Sequence, residues 1–346
     1  QRAGRAWGAP SRTLISGGSR GAFVVRKALE IHPDIFDGGL MFSGGGAGEI
    51  AGLNNKLNAL FVLKTLVDPA APLALVNITN PKAEMDALQG LVDKAKATPQ
   101  GRARLALAGA VQQFALWSSR DLPRPAPADY NAMVDQMASN FVWAIAVPVR
   151  MGVEKAAGGN VSWNKGVDYT ALLSRSGRRA MIETLYRQAG LSLSADLRTL
   201  ARAPRITADP DAVRKAEPLM TYTGLISAPL VNVDNDDPVD PASDKLAYLD
   251  TLRHAGTDGL FRLIWTDLPG HGGQRDIDRA VGYDLLIARI ETGQWPDSSV
   301  PALRAAASRI AGSSPVDLGT NTIFDPGPLP APAAEWDARN WGTYEP

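Results

Sequence analysis

The sequence predicts an α/β fold: a mostly parallel sheet flanked by helices and interrupted by a large helical insertion. Three observations carry this. Short apolar runs at 13–16, 40–43, 228–234 and 260–266 have strand length, and helical patterns follow the first, third and fourth of them. Strands that alternate with helices build parallel sheets. Between 51 and 221 the texture changes to helical patterns alone, with Pro-rich joints of which Pro123-Arg124-Pro125-Ala126-Pro127 is the clearest. Glycine clusters, finally, sit where the strand-like runs end.

Residues 1–12 read as the end of a helix or a loop feeding the first strand. At 20–31 the period changes: Ala22, Val25, Ala28, Leu29 and Ile31 recur at helical spacing, with Arg26, Lys27 and Glu30 between them. His32-Pro33 ends that helix, because proline disfavours helical geometry in the residue before it. Phe36-Asp37-Gly38-Gly39 reads as a turn, then the apolar run at 40–43 as a buried strand that exits through Gly44-Gly45-Gly46-Ala47-Gly48. Helices are expected at 57–67, 83–97, 102–117, 130–147, 169–189 and 194–203 within the insertion, and at 242–255 and 276–292 after the later strands. The tail has one short helix at 301–310 and a Pro-rich end carrying Trp336 and Trp341. The expected organisation is a core of 1–50 and 222–295, an insertion of 51–221 and a tail of 296–346. No repeat of fixed period is found.

With 346 residues, 45% hydrophobic and 21% charged, the chain has the composition of a globular protein. Its 36 basic and 36 acidic residues cancel, and no dense basic patch interleaves with aromatics, which argues against nucleic-acid or membrane-surface binding through bulk charge. The absence of cysteine excludes disulfides, thiolate metal sites and cysteine nucleophiles. No apolar stretch reaches the roughly 20 residues that span a bilayer. The first residues show no apolar core of a signal peptide.

The chemistry centres on Gly17-Gly18-Ser19-Arg20-Gly21. A strand, a sharp turn and a helix are the setting in which Gly-x-Ser-x-Gly exposes a serine hydroxyl at the end of a sheet. Gly17 and Gly21 are expected to remove Cβ atoms that would collide there. Arg20 N–H would then aim at a developing oxyanion, and Arg20 and Gly18 are the candidate oxyanion or substrate-binding residues. The Arg20 side chain is expected in a structural ion pair, with a substrate carboxylate as its alternative partner.

A nucleophilic serine needs a base and an orienting acid. Of three histidines, His32 sits at a helix break and His254 near a helix C-terminus, where it favours the helix dipole. His271 lies in Asp267-Leu268-Pro269-Gly270-His271-Gly272-Gly273, directly past a strand, on the sheet edge where the Ser19 loop also opens. Its flanking glycines leave room for a substrate. The acid falls in Val233-Asp234-Asn235-Asp236-Asp237-Pro238-Val239-Asp240-Pro241, where Asp237 is preferred and Asp236 is second. That stretch also reads as a turn whose aspartates cap the next helix. It lacks the glycine and glutamate of a calcium loop.

Serine, aspartate and histidine in that order, each after its own strand, resemble the α/β-hydrolase superfamily. The likeness covers 13–43 and about 228–292: Gly17-Gly18-Ser19-Arg20-Gly21 looks like its nucleophile elbow, Asp237-Pro238-Val239-Asp240-Pro241 its acid loop and Gly270-His271-Gly272 its histidine loop. It implies an α/β-hydrolase fold whose insertion is a lid between the sixth and seventh strands. It further implies serine-dependent hydrolysis of a small-molecule or polymer carboxylic ester, without a cofactor. The insertion's position and size look most like large-lidded secreted esterases of the tannase and feruloyl-esterase type, which implies secretion. The superfamily also places several strands and a His-Gly-Gly-type oxyanion loop before the elbow. About a dozen residues precede the first strand here, so the sequence is expected to be an N-terminally truncated piece.

Other readings compete. A peptidase or amidase of the prolyl-oligopeptidase type shares the elbow, as does a non-catalytic binding protein on the same fold. Gly46-Ala47-Gly48-Glu49-Ile50-Ala51, with Asp68 as its later acid, mimics a dinucleotide fingerprint, but no parallel strand follows within about 30 residues. No Gly-Lys-Ser/Thr is present for a phosphate loop. Trp117, Trp143 and Trp163, with Phe141, Val142, Ala144, Ile145 and Val147, are expected to pack the insertion's core, with a substrate-pocket wall as the alternative.

Overall fold

The computed structural model describes Gly8, residues 10–44, Gly46 and residues 48–331. Residues 1–7, Trp336 and Trp341 lie outside the described residues. In chain order the elements are β1 (Leu14–Gly18), α1 (Arg20–Ile31), β2 (Gly38–Phe42), α2 (Glu49–Val67), α3 (Pro81–Lys96), α4 (Pro99–Gln112), α5 (Tyr130–Ile145) and α6 (Val147–Ala157). They continue with α7 (Tyr169–Arg175), α8 (Arg179–Gln188), α9 (Leu193–Arg202), α10 (Pro210–Met220), β3 (Leu230–Asp234), α11 (Ala242–Ala255), β4 (Phe261–Trp265), α12 (Asp276–Thr292) and α13 (Val300–Ser313).

The described sheet has the order β1-β2-β3-β4, and every pairing is parallel. Side chains alternate across it. Met41, Leu230 and Phe261 face α1 and α11, packing with Ala22, Val25, Leu29, Tyr248 and Leu252. Leu40, Val231, Val233 and Ile264 face the other way, onto Ile277, Val281, Leu285 and Leu286 of α12. Helices on both faces explain why these strands read as continuous apolar runs. Leu303, Ala307 and Ile323 join the second layer, so the part of the tail up to Ile323 is packed against the core.

Register decides where the loops open. Gly18 lies opposite Phe42, Phe42 opposite Val233, and Asp234 opposite Trp265. The chain segments that leave β1, β3 and β4 therefore emerge side by side on one edge of the sheet.

Between β2 and β3 the described chain is helical, from α2 to α10. These helices enclose their own apolar cluster, nearly all of it between Ile50 and Ala216. α2 runs through its middle and is buried on most sides, although it carries Asn54, Asn55, Lys56 and Asn58. The asparagines tie neighbouring segments together: Asn55 donates to Gln112 O (3.0 Å), Trp163 N–H donates to Asn54 (3.0 Å) and the Tyr169 hydroxyl donates to Asn58 (3.1 Å). An antiparallel bridge between Gly48 and Thr221 joins the two ends of this helical segment.

Several expected boundaries shift. Gly38 and Gly39 belong to β2 rather than to a turn. α2 begins at Glu49, eight residues before the expected helix at 57–67. The expected helix at 130–147 breaks at Ala146, whose φ of 55° is left-handed, and α6 follows with Pro148 in its first turn. The expected helix at 169–189 is two, parted at Ser176-Gly177-Arg178, where Gly177 has φ 68°. α10 starts on Pro210 with Asp209 as its cap and has no counterpart among the expected helices. The dinucleotide reading fails for the reason given: from Glu49 the chain enters α2, and the next strand to pair with β2 is β3. Ala47 of that segment lies outside the described residues.

Candidate active site

Ser19 sits between β1 and α1 with φ 55° and ψ −125°, a conformation that costs a non-glycine residue on the order of 1–3 kcal/mol. The surrounding glycines make it attainable. A Cβ on Gly17 would lie 2.5 Å from Gly21 O, and one on Gly44 would lie 2.2 Å from Ala22 Cβ. A Cβ on Gly18 would meet the Phe42 ring at 2.3 Å. Gly21 differs from expectation, because a Cβ there would meet nothing within 4 Å. What matters at that position is its backbone, which fills the space a Gly17 side chain would need.

Beneath the elbow Arg26 is fully buried, donating to Gly44 O (3.0 Å) and Gly46 O (2.9 Å) and lying 4.3 Å from the Tyr248 ring centroid. It ties the loop after β2 to α1. Arg20 N–H is the first of α1 and has no acceptor within the helix, so it is available at its N-terminus.

His271 Nε2 lies 2.7 Å from Ser19 Oγ, and His271 Nδ1 lies 2.7 Å from Asp237 Oδ2. Asp237 is fully buried, and its other oxygen accepts from Val239 N–H at 2.8 Å. Asp236 instead accepts from Ala242 N–H (3.3 Å) at the start of α11. His32 and His254 are exposed and distant in role: the first caps α1, and the second meets Asp250 O within α11.

Two loops must be held for that line to form. Asn235 does so, donating at 2.9 Å to both Leu268 O and Gly270 O of the histidine loop while accepting from Gln274 at 2.7 Å. Arg120 adds a bond to Gly272 O (2.9 Å). Gly270 and Gly272 have φ 82° and 72°, so glycine is required there by the turn itself.

Burial pulls the imidazole of His271 down, but the hydrogen bond it donates to Asp237 and the charges of Asp237, Asp240 and Asp234 outweigh it, so its pKa lies above 6.5. Burial raises Asp234 to about 6 even though Lys245 lies 3.6 Å away. A hydroxyl, an imidazole and a buried carboxylate so arranged can pass a proton from oxygen to nitrogen while the carboxylate stabilises the resulting cation.

Ser19 and His271 open into a cavity of about 250 Å³. Phe23, Met85, Val142, Trp143, Val149 and Val239 give it an apolar wall, and Arg20, Glu49, Lys56 and Asp240 a charged one. Gly18 does not line it, since it stays in β1 under the serine. Among the described residues Arg20 makes no ion pair, contrary to expectation: it is exposed at the cavity, with no carboxylate oxygen within 4.0 Å. The aromatic expectation divides. Phe141, Ala144, Ile145 and Val147 are buried in the insertion's core and Trp163 packs against it. Trp143 is 51% exposed and meets His271 edge-on, ring centroids 5.3 Å apart. Trp117 lines a separate cavity of about 170 Å³ beside Asp236, under the Arg124 guanidinium.

Lys56 was not singled out by sequence, and Glu49 and Asp240 appeared there only within the dinucleotide-like and acid-loop stretches, not as cavity residues. One signal was available: Asn54-Asn55-Lys56 and Asn58 interrupt an otherwise apolar helix, and polar groups in a buried helix are often there for a site.

Parallel strands, helices on both faces, and serine, aspartate and histidine on the loops after β1, β3 and β4 define the α/β-hydrolase fold. Over 329 residues the chain is 27% identical to an o-phthalyl amidase of Xanthobacter agilis, covering 87% of this chain and 72% of that relative. No protein-family model matches it. Among solved structures it is similar to feruloyl esterase B from Aspergillus oryzae (12% identity, 83% of this chain and 60% of that one, TM-score 0.34). An acetylester hydrolase from Corynebacterium glutamicum (13%, 84% and 64%, TM-score 0.30) and a tannin acyl hydrolase from Aspergillus niger (13%, 96% and 67%, TM-score 0.37) are similar too. Scores this low leave the fold to be read from strand order and site geometry. The chain spans about three-fifths of the length of the first of these structures.

Proposed function

We propose that the protein is a serine hydrolase of carboxylic esters, with amides as the second substrate class. The observation that carries this reading is the unbroken line Ser19 Oγ, His271, Asp237, with 2.7 Å at each step. Ser19 attacks the substrate carbonyl, and His271 Nε2 takes its proton. Asp237 holds the ring with Nδ1–H toward itself and stabilises the imidazolium. Arg20 N–H donates to the oxyanion. The imidazolium then protonates the leaving alcohol or amine, and water clears the acyl-enzyme by the same steps in reverse. The likeness to an o-phthalyl amidase is what favours amides beside esters. The apolar wall around Trp143 suits an aryl or alkyl group, and we assign the insertion that carries it the role of a lid.

A fluorophosphonate probe tests the nucleophile. It is expected to modify Ser19 in the full chain and to leave folded Ser19→Ala unmodified. A folded wild-type chain that resists the probe and turns over no ester would instead be a binding protein on this fold.

The raised imidazole pKa sets the pH profile. Only the neutral ring accepts the serine proton, so kcat/KM rises with pH through the histidine pKa. The acid limb is expected above 6.5, and Asp237→Asn moves it down by removing the charge that raises the ring. A pH series of kcat/KM on both proteins reads this; an acid limb below 6.5 in the wild type contradicts it.

A further inference from the structure

We infer that Ser43 and Gln274 are positioning residues: with Asn235 they form a buried relay that registers the His271 loop against Ser19. This rests on the hydrolase reading and extends it to side chains outside the line of proton transfer. Ser43 directly follows β2, Asn235 directly follows β3, and Gln274 lies on the loop that leaves β4, just past His271. All three are buried, with exposures of 2%, 0% and 4%. The Ser43 hydroxyl donates to Gln274 Oε1, and Gln274 Nε2 donates to Asn235 Oδ1 at 2.7 Å. Asn235 Nδ2 in turn donates to Leu268 O and Gly270 O, at 2.9 Å each. Those carbonyls and Gln274 stand on opposite limbs of the loop that carries His271 between them. The loop therefore closes around Asn235, and Ser43 backs the closure.

Each link needs the next. Terminal amide torsions are broad, so neither Asn235 nor Gln274 is held by its own rotamer preference. The Gln274 N–H fixes the Asn235 amide, and the Ser43 O–H fixes that of Gln274. A buried amide that loses such a partner turns to find another, and the bonds it makes elsewhere turn with it. The far end of the relay is tied to the nucleophile: Phe42 O, next to Ser43, accepts from Ser19 N–H at 3.1 Å. Phe42 and Ser43 thus set the elbow and the histidine loop against one frame.

Ser43 is also strained. Its φ of 46° is left-handed, a conformation that persists in a non-glycine residue only where its surroundings impose it. Glycine would adopt it freely. What the serine adds is the hydroxyl that meets Gln274. Arg120 does not duplicate this grip, because its bond to Gly272 O lies on the exposed side of the loop.

The test reads His271 directly. The chain has three histidines, so comparison with His271→Ala assigns the ring signals in an NMR titration of the full-length protein. Asp237, Asp240 and Asp234 act on that ring, Ser19 and the edge of Trp143 touch it, and Arg20, Glu49 and Lys56 line the same cavity. Gln274→Met and Ser43→Gly replace none of these groups. The hydrogen bond to Asp237 raises the ring pKa, so loosening the loop lowers it. Gln274→Met is expected to lower it by about one pH unit, and Ser43→Gly by less in the same direction. With a 4-nitrophenyl ester, Gln274→Met lowers kcat about tenfold or more and leaves KM nearly unchanged. Ser43→Gly melts close to wild type, since it relieves the strained backbone, yet loses kcat. Added to Gln274→Met it costs nothing further, because both act through one chain of bonds. A ring pKa that falls in neither variant, or losses of kcat that add in the double variant, overturns the relay while leaving ester hydrolysis standing. The titration needs no turnover, so it decides the relay even if no ester is hydrolysed. Ser43→Gly carries the test if Gln274→Met does not fold.

Discussion

Ser19→Ala is expected to lower kcat for 4-nitrophenyl ester hydrolysis by about 10⁴- to 10⁶-fold, with the melting temperature nearly unchanged. The size follows from what remains. Without the hydroxyl, His271 and Asp237 have nothing to activate, and only the oxyanion donor and the cavity are left, which supply a small part of the acceleration in enzymes that use this arrangement. The fold should survive because the strained turn is held by Gly17, Gly44 and the buried Arg26, none of which depends on the hydroxyl. Steady-state kinetics with a thermal melt on the same sample decide it; turnover within tenfold of wild type would remove Ser19 from the chemistry.

The second large effect separates two adjacent aspartates. Asp237→Asn is expected to lower kcat about 10⁴-fold, because an amide in that place can donate to Nδ1 and hold the imidazole in the tautomer that cannot take the serine proton. Asp236→Asn should change kcat by only a few fold, since its carboxylate accepts from Ala242 N–H and feels Arg178 rather than the ring. Kinetics of the two variants side by side settle the assignment. A larger loss for Asp236→Asn would reverse it.

The site's outline was legible because its three residues each follow a strand, and a parallel sheet delivers such loops to one edge. Glycine and proline punctuation around 17–21, 237–241 and 270–273 marked those loops locally. α2 was harder. Buried on most sides, it lacks the one-sided periodicity by which an amphipathic helix announces itself, so its first two turns were invisible. The break at Ala146 was hidden for a related reason: an unbroken apolar run conceals a single left-handed residue that is not glycine. Trp143 sat in that run like any core residue, and only the packing of α5 shows which side of it meets His271. Of the charged wall only Arg20, beside the serine, was legible; that Lys56 and Asp240 join it was not, since they converge from separate parts of the fold.

Ser19 and His271 are 252 positions apart, and β2 finds β3 only across the whole insertion. Contacts so distant in the chain slow folding, although closure entropy itself grows by only about 0.6 kcal/mol per doubling of length. An insertion that condensed first would shorten the search. Its helices can condense on one another through their own apolar cluster, and the Gly48–Thr221 bridge then brings the two halves of the sheet within reach. In such an order of events the Ser19–His271–Asp237 line closes late: a nascent or heat-damaged chain would be largely helical before that line exists.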